Sequence, residues 1–155
     1  MRAKGGFTLV EILIVVVILG ILAAIVIPQF TEASTEAKES RLLSDLQSMR
    51  SQIELYKIQH NDEMPGAGTA SFADAMTGYT DVAGALALLQ APADGVYGPY
   101  IQKIPTNPWN DLDTVREGGA VAGANTEGWR FEPTTGVFQA DDNLQCSDGT
   151  DHSAL

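Results

Sequence analysis

Gly6-Phe7-Thr8-Leu9-Val10-Glu11 opens the stretch that decides the fold, and Ile12-Leu13-Ile14-Val15-Val16-Val17-Ile18-Leu19-Gly20-Ile21-Leu22-Ala23-Ala24-Ile25-Val26-Ile27 completes it. Between Ile12 and Ile27 there is no charge and a single glycine, and Pro28 follows. Apolar runs of about 20 residues can cross a bilayer, whereas runs of about 10–14 more often form core helices or the centre of a signal peptide. Counted over 7–30 the segment is long enough to span, but it contains one acid, Glu11. A lone carboxylate deep in hydrocarbon costs about 2.5–3.5 kcal/mol on insertion scales. Glu11 therefore asks for a counter-charge.

Upstream, Met1-Arg2-Ala3-Lys4 is cationic, so this end is expected to stay cytoplasmic and the chain beyond the helix to be exported. A basic leader ending at Gly6, then Phe-Thr-Leu-Val-Glu at 7–11, then an apolar helix with Pro28 inside it, resembles the N-terminus of type IV pilin-like proteins. The resemblance covers about the first fifth of the chain. It implies that a prepilin peptidase cuts between Gly6 and Phe7 and that the new Phe7 amine is N-methylated. Residues 1–6 would then be a leader, 7–30 a transmembrane and filament-core helix, and 31–155 an extracytoplasmic head. Phe7, Glu11 and Pro28 become the assembly residues. A free α-amine titrates at about 7.7–8.0, and Glu11 lies one helical turn beyond it. In an apolar assembly that amine, on the same or a neighbouring subunit, is the natural partner, because buried charges are tolerated when paired. The alternative is an ordinary secretory signal peptide, with Thr31-Glu32-Ala33 as its small-residue cleavage site.

The chain has 155 residues, a prior for one head domain with one modest core. Its formal charge is −11, and loss of Arg2 and Lys4 with the leader leaves seven cations against 20 acids, or −13. That balance argues against nucleic acid as a partner, which calls for a basic patch. Cys146 is the only cysteine, so no intrachain disulfide forms. The C-terminal disulfide loop of many adhesive pilins is therefore absent.

After Pro28 the sequence turns polar, and no further breaker appears before Pro65. One helix is predicted from Phe7 to about His60, on the order of 80 Å long, with Pro28 and Gly20 as points of bending. Two helices parted at Pro28 is the other arrangement. Leu42, Leu46, Met49, Ile53, Tyr56 and His60 alternate at spacings of four and three, an amphipathic stripe suited to packing on the protein's own sheet. Arg41, Arg50 and Lys57 fall off the stripe and read as solvated, and His60 as a cation at the helix end. Residues 61–78 read as a loop with a helical turn at Ser71–Met76. A short helix is expected over Asp81–Gln90, stopped by Pro92.

Prolines at 99, 105 and 108 exclude a central strand from 95–110, leaving an extended loop anchored by Tyr100, Ile104 and Trp109. Gly98-Pro99-Tyr100, Pro105 and Asn107-Pro108-Trp109 resemble a segment of the major pseudopilin of type II secretion systems. In that family the segment leads into a small antiparallel sheet. Residues 111–127, rich in Gly and Ala, read as a mobile insertion. Gly128–Glu132 and Gly136–Ala140 alternate around Pro133-Thr134-Thr135-Gly136, the clearest hairpin in the chain. Trp129, Phe131 and Val137 or Phe138 would face the helix. The tail, 141–155, reads as polar and frayed.

The fold expected is thus α+β, a long helix with a transmembrane half and an amphipathic half, the latter packed on a small antiparallel sheet, as in pilins. The sequence has no phosphate loop, zinc-type His pair or dinucleotide glycine pattern, so no enzymatic activity is expected. The resemblance to type II major pseudopilins implies a C-terminal calcium loop, for which Asp141, Asp142, Asn143 and Asp148 supply oxygens. Their spacing is not that of an EF-hand, and the family's Gly-Ala-Asp-Gly run is missing here. A solvated acidic tail is the other reading. Taken together, the resemblance implies a pseudopilus subunit that drives export across the outer membrane. Its expected partners are its own copies, minor pseudopilins, an inner-membrane assembly platform and the peptidase–methylase. A type IV pilin for adhesion, motility or DNA uptake, and a soluble exported binding protein, are the alternatives.

Overall fold

The computed structural model describes residues 6–87 and 95–155. The chain forms two compact units, Met1–Ala37 and Lys38–Leu155. A single helix, α1 (Leu9–Gln59), supplies the first unit and the spine of the second, and it continues through Pro28.

In the first unit, the helix is long and apolar enough to cross a membrane, and none of that window is buried within the chain. Thr8 caps it. Downstream, the hydroxyls of Thr31 and Thr35 donate back to the carbonyls of Ile27 at 3.2 Å and Thr31 at 3.1 Å. These bonds satisfy small polar side chains on the helix itself where the sequence turns polar.

In the second unit the stripe behaves as its spacing requires. Leu42, Leu46, Met49, Ile53 and Tyr56 are all buried. They share one core with Phe72, Met76, Ile104, Trp129, Phe131 and Phe138. The helical turn expected after residue 70 is α2 (Phe72–Thr77), where Ser71 accepts from the Asp74 N–H as N-cap. The Phe72 N–H is taken by Glu117 at 2.8 Å.

Among the described residues five short strands follow: β1 (Thr80–Asp81), β2 (Val96–Tyr97), β3 (Val115–Glu117), β4 (Trp129–Glu132) and β5 (Val137–Ala140). β1 and β2 pair antiparallel by themselves. The hairpin stands as its turn residues dictate, with Phe131 opposite Phe138 in the antiparallel β4–β5 pair. Gly136 closes the turn at φ 73°, and a Cβ there would lie 2.8 Å from the Met64 methyl. Both the conformation and the space call for glycine.

Several expectations are corrected. The short helix over Asp81–Gln90 is absent from residues 81–87. Asp81 ends β1, its carboxylate accepts from the Ala83 and Ala85 N–H groups, and Leu86 bridges back to Thr80. That side-chain turn outcompetes helix nucleation; residues 88–90 and Pro92 lie outside the described residues. The Gly- and Ala-rich stretch 111–127 is no loose insertion. It contains β3, which runs parallel to β4 with Val115 opposite Trp129, so the larger sheet is mixed. Its return segment wraps the Arg116 guanidinium, which donates to the carbonyls of Gly118 at 3.0 Å and Ala120 at 2.8 Å.

Arg50 is not simply solvated. Its Nε and Nη2 donate to the Phe138 carbonyl at 3.1 and 2.8 Å, and Nη2 also to the Leu155 oxygen at 2.7 Å. His60 is buried rather than a surface cation. It stacks on Tyr56 at 3.7 Å, donates from Nδ1 to the Tyr56 carbonyl and meets the Thr80 hydroxyl at Nε2. The tail is not frayed either, since His152 is fully buried and Gln145 bridges Asp151.

Candidate functional site

The N-terminal segment is built from three residues ahead of a helix. Gly6, Phe7 and Thr8 are non-helical and exposed, and Phe7 is 85% exposed. Thr8-Leu9-Val10-Glu11 forms a capping box. The Thr8 main-chain N–H and hydroxyl donate to one oxygen of Glu11 at 2.7 and 2.8 Å, and the Glu11 N–H donates back to the Thr8 hydroxyl at 3.2 Å. The sequence signal for this box, Thr followed three residues later by Glu before an apolar run, was there to be read. It adds a second use for the acid. Glu11 fastens the first turn of its own helix through one carboxylate oxygen, which takes both Thr8 donors. Pro28 sits in mid-helix, where it has no N–H to give to Ala24.

The acidic end of the head is organised differently. Asn107, fully buried in the proline-rich loop, donates from Nδ2 to the Gly128 carbonyl at 2.9 Å and to Asp142 Oδ2 at 2.8 Å. Its own side-chain oxygen takes the Trp109 N–H. The loop anchors hold as expected: Ile104 is buried, Tyr100 donates to Gln59 at 2.6 Å, and Trp109 lies against both His152 and Lys38. Trp129 Nε1 donates to the Pro105 carbonyl at 2.7 Å, tying this loop to β4. Sequence reading missed Asn107 and His152; the only signal was a polar Asn held between two prolines.

The four calcium candidates do not converge. Asp141 meets Arg116 Nη2 at 2.6 Å, and its oxygens also accept from the Ala124 and Glu127 N–H groups and the Thr126 hydroxyl. Burial pushes the Asp141 carboxyl up, but the Arg116 hydrogen bond and charge outweigh it and leave it below its ordinary value. Asp142 takes His152 Nδ1 at 2.6 Å and the Leu144 N–H at 3.1 Å. Asn143 and Asp148 are exposed, and Asp148 accepts the Thr150 N–H at 2.8 Å within its own turn. A calcium ion needs six to eight oxygens with lone pairs turned toward it. Here all four carboxylate oxygens of Asp141 and Asp142 face N–H or O–H donors. Among the described residues, no three His, Cys, Asp or Glu side chains are grouped to hold a metal. These residues do not fit the ion.

Comparison with known proteins agrees with the N-terminal geometry. The prokaryotic N-terminal methylation motif matches residues 1–27. The chain is 31% identical over 115 residues to type II secretion system core protein G of Klebsiella pneumoniae, covering 70% of this chain and 71% of that protein. It is 32% identical over 112 residues to the protein of the same name from Pseudomonas aeruginosa, covering 71% of each. The counterpart from Vibrio cholerae is 28% identical over 155 residues, covering 85% of this chain and 96% of that protein. No solved structure gives a significant match.

Proposed function

Because this chain belongs to the family of type II secretion system core protein G, we propose that it leaves the membrane to polymerise through α1, with Glu11 setting the register between neighbouring copies. It is a non-enzymatic structural subunit of a pseudopilus that drives protein export across the outer membrane. It is processed by prepilin peptidase and anchored in a membrane by α1.

One observation carries the reading: no residue of the apolar window of α1 is buried within the chain, and every residue of the head's core lies at Leu42 or beyond. Such a helix needs lipid or other copies of itself. Lipid tails and a bundle of like helices are about equally apolar, so transfer from one to the other meets no large hydrophobic barrier. The finer arrangement is a single pass through the inner membrane with the acidic head outside the cytoplasm. An inner-membrane platform extracts the subunit, and minor pseudopilins join the same filament. Glu11 then fixes the axial offset, since a neighbour's Phe7 amine reaches it at one register only. Calcium has no step in this scheme.

N-terminal sequencing of the protein recovered from cells should begin at Phe7 with a methylated amine. A start near Ser34 would leave a discarded signal peptide and overturn the reading. Deleting the gene should strip proteins from the culture supernatant. Loss of surface motility with normal secretion would instead mark a motility pilus.

A further inference from the structure

The C-terminal segment is held by four separate contacts, three to the rest of the head and one within itself. Glu39 on α1 accepts the Ser147 N–H at 2.6 Å and the Ser147 hydroxyl at 3.0 Å. Asp142 holds His152 at 2.6 Å, with both side chains buried. Gln139 on β5 donates to the Ser153 carbonyl at 2.5 Å, and Arg50 donates to the Leu155 oxygen at 2.7 Å. Beneath these contacts the proline-rich loop reaches in through Asn107 to Asp142. Arg116 from β3 reaches Asp141.

We propose that the protein's own donors close this C-terminal segment in place of a divalent cation. Arg116 occupies Asp141, His152 and Asn107 occupy Asp142, and the head folds without calcium. The physical reason is the direction of the hydrogen atoms. An ionised carboxylate only accepts, so each nitrogen beside it must be a donor, and a cation entering there would meet N–H dipoles pointing the wrong way. Admitting it would take from Arg116 its carboxylate counter-charge, from Asn107 one of its two acceptors and from His152 Nδ1 its acceptor, and a buried donor so stripped bears a desolvation cost. Among the described residues the Nε2 of His152 has no hydrogen-bond partner, but it packs near Trp109 and no three His, Cys, Asp or Glu side chains are grouped around it. The inference is independent of the secretion reading, since it concerns how the head folds rather than what the filament does.

Full-length mature protein in detergent micelles is the material for the test, read by circular dichroism melting and by calorimetric titration with CaCl2. The melting midpoint should coincide in excess EDTA and in millimolar CaCl2, and the titration should show no saturable heat. A specific ligand far above its dissociation constant raises a domain's midpoint by several degrees, so a rise of that size with calcium overturns the proposal. Substituting His152→Ala should lower the midpoint by several degrees equally in EDTA and in calcium. Should that variant fail to fold, His152→Asn, which keeps a donor near Asp142, should recover part of the loss. A His152 variant whose midpoint is unchanged, or is restored by calcium, likewise overturns it.

Discussion

Thr8 and Glu11 hold each other in both directions, with the Thr8 N–H and hydroxyl on one Glu11 oxygen at 2.7 and 2.8 Å and the Glu11 N–H returned to the Thr8 hydroxyl at 3.2 Å. The acid at the head of an apolar helix thus has an internal task, closing two donors that the first turn would leave open. That internal task separates from its role between subunits, because a glutamine completes the same box without a charge.

Glu11→Gln and Glu11→Ala should both insert into the membrane, and both should fail to form filaments. Sheared-filament fractions against membrane fractions measure this directly. If Glu11→Gln assembles like the parent, the carboxylate charge is not what sets the register.

Removing the hydroxyl by Thr8→Ala should cost the helix start about 0.5–2 kcal/mol, the usual value of an N-cap. Amide exchange in micelles should speed up over Leu9–Ile12 and leave Leu42–Tyr56 unchanged. Uniform exchange along the helix would show that the cap contributes nothing locally.

Trp129→Ala should destabilise the head by about 3–5 kcal/mol, the range for a large buried aromatic. Trp129 is fully buried against Phe138 at 5.3 Å and also holds the Pro105 carbonyl. Chemical denaturation of the full chain checks it. A cost under about 1 kcal/mol, the scale of a mild volume-conserving swap, would contradict the packing described.

Arg50→Leu keeps the stem's bulk but removes the donors from the Phe138 carbonyl and the Leu155 oxygen. The expected cost is about 1–3 kcal/mol for unsatisfied groups, with faster proteolytic trimming of the last residues. Arg41→Ala is the control. Its side chain is exposed and meets the half-buried Asp45 only at 3.5 Å, so the change should cost less than that of Arg50, within about 1 kcal/mol as for surface ion pairs.

Acid should weaken the head in part through Asp141, whose carboxyl Arg116 holds below its ordinary value despite burial. A carboxyl lowered by folding contributes stability that is complete above its unfolded value of about 3.9 and lost as pH falls through the lowered one. Arg116→Met should remove most of that contribution at neutral pH and flatten this part of the acid transition. An acid limb identical to the parent's would show that the pair does not titrate with folding.

Where the chain answers to local rules, its sequence is legible. The length of α1, the stripe Leu42, Leu46, Met49, Ile53 and Tyr56, the Ser71 turn and the β4–β5 hairpin all follow from spacing, caps and turn residues within a few positions of one another. The exposed apolar half of α1 follows as well, because no arrangement of so uniform a surface leaves a polar side to face water.

What spacing could not convey is which distant polar group each buried polar side chain would find. β3 lies parallel to β4 with the return segment bonded to Arg116, and nothing within Val115–Glu117 marks it as a strand partner of Trp129. Asn107, Asp142 and His152 are scattered over 46 positions of sequence and form one network only after the loop, sheet and tail have packed. Hydrophobic burial leaves a periodic trace in the chain that bears it, whereas a hydrogen bond between distant segments leaves none, so tertiary packing alone decided how the acidic end is closed.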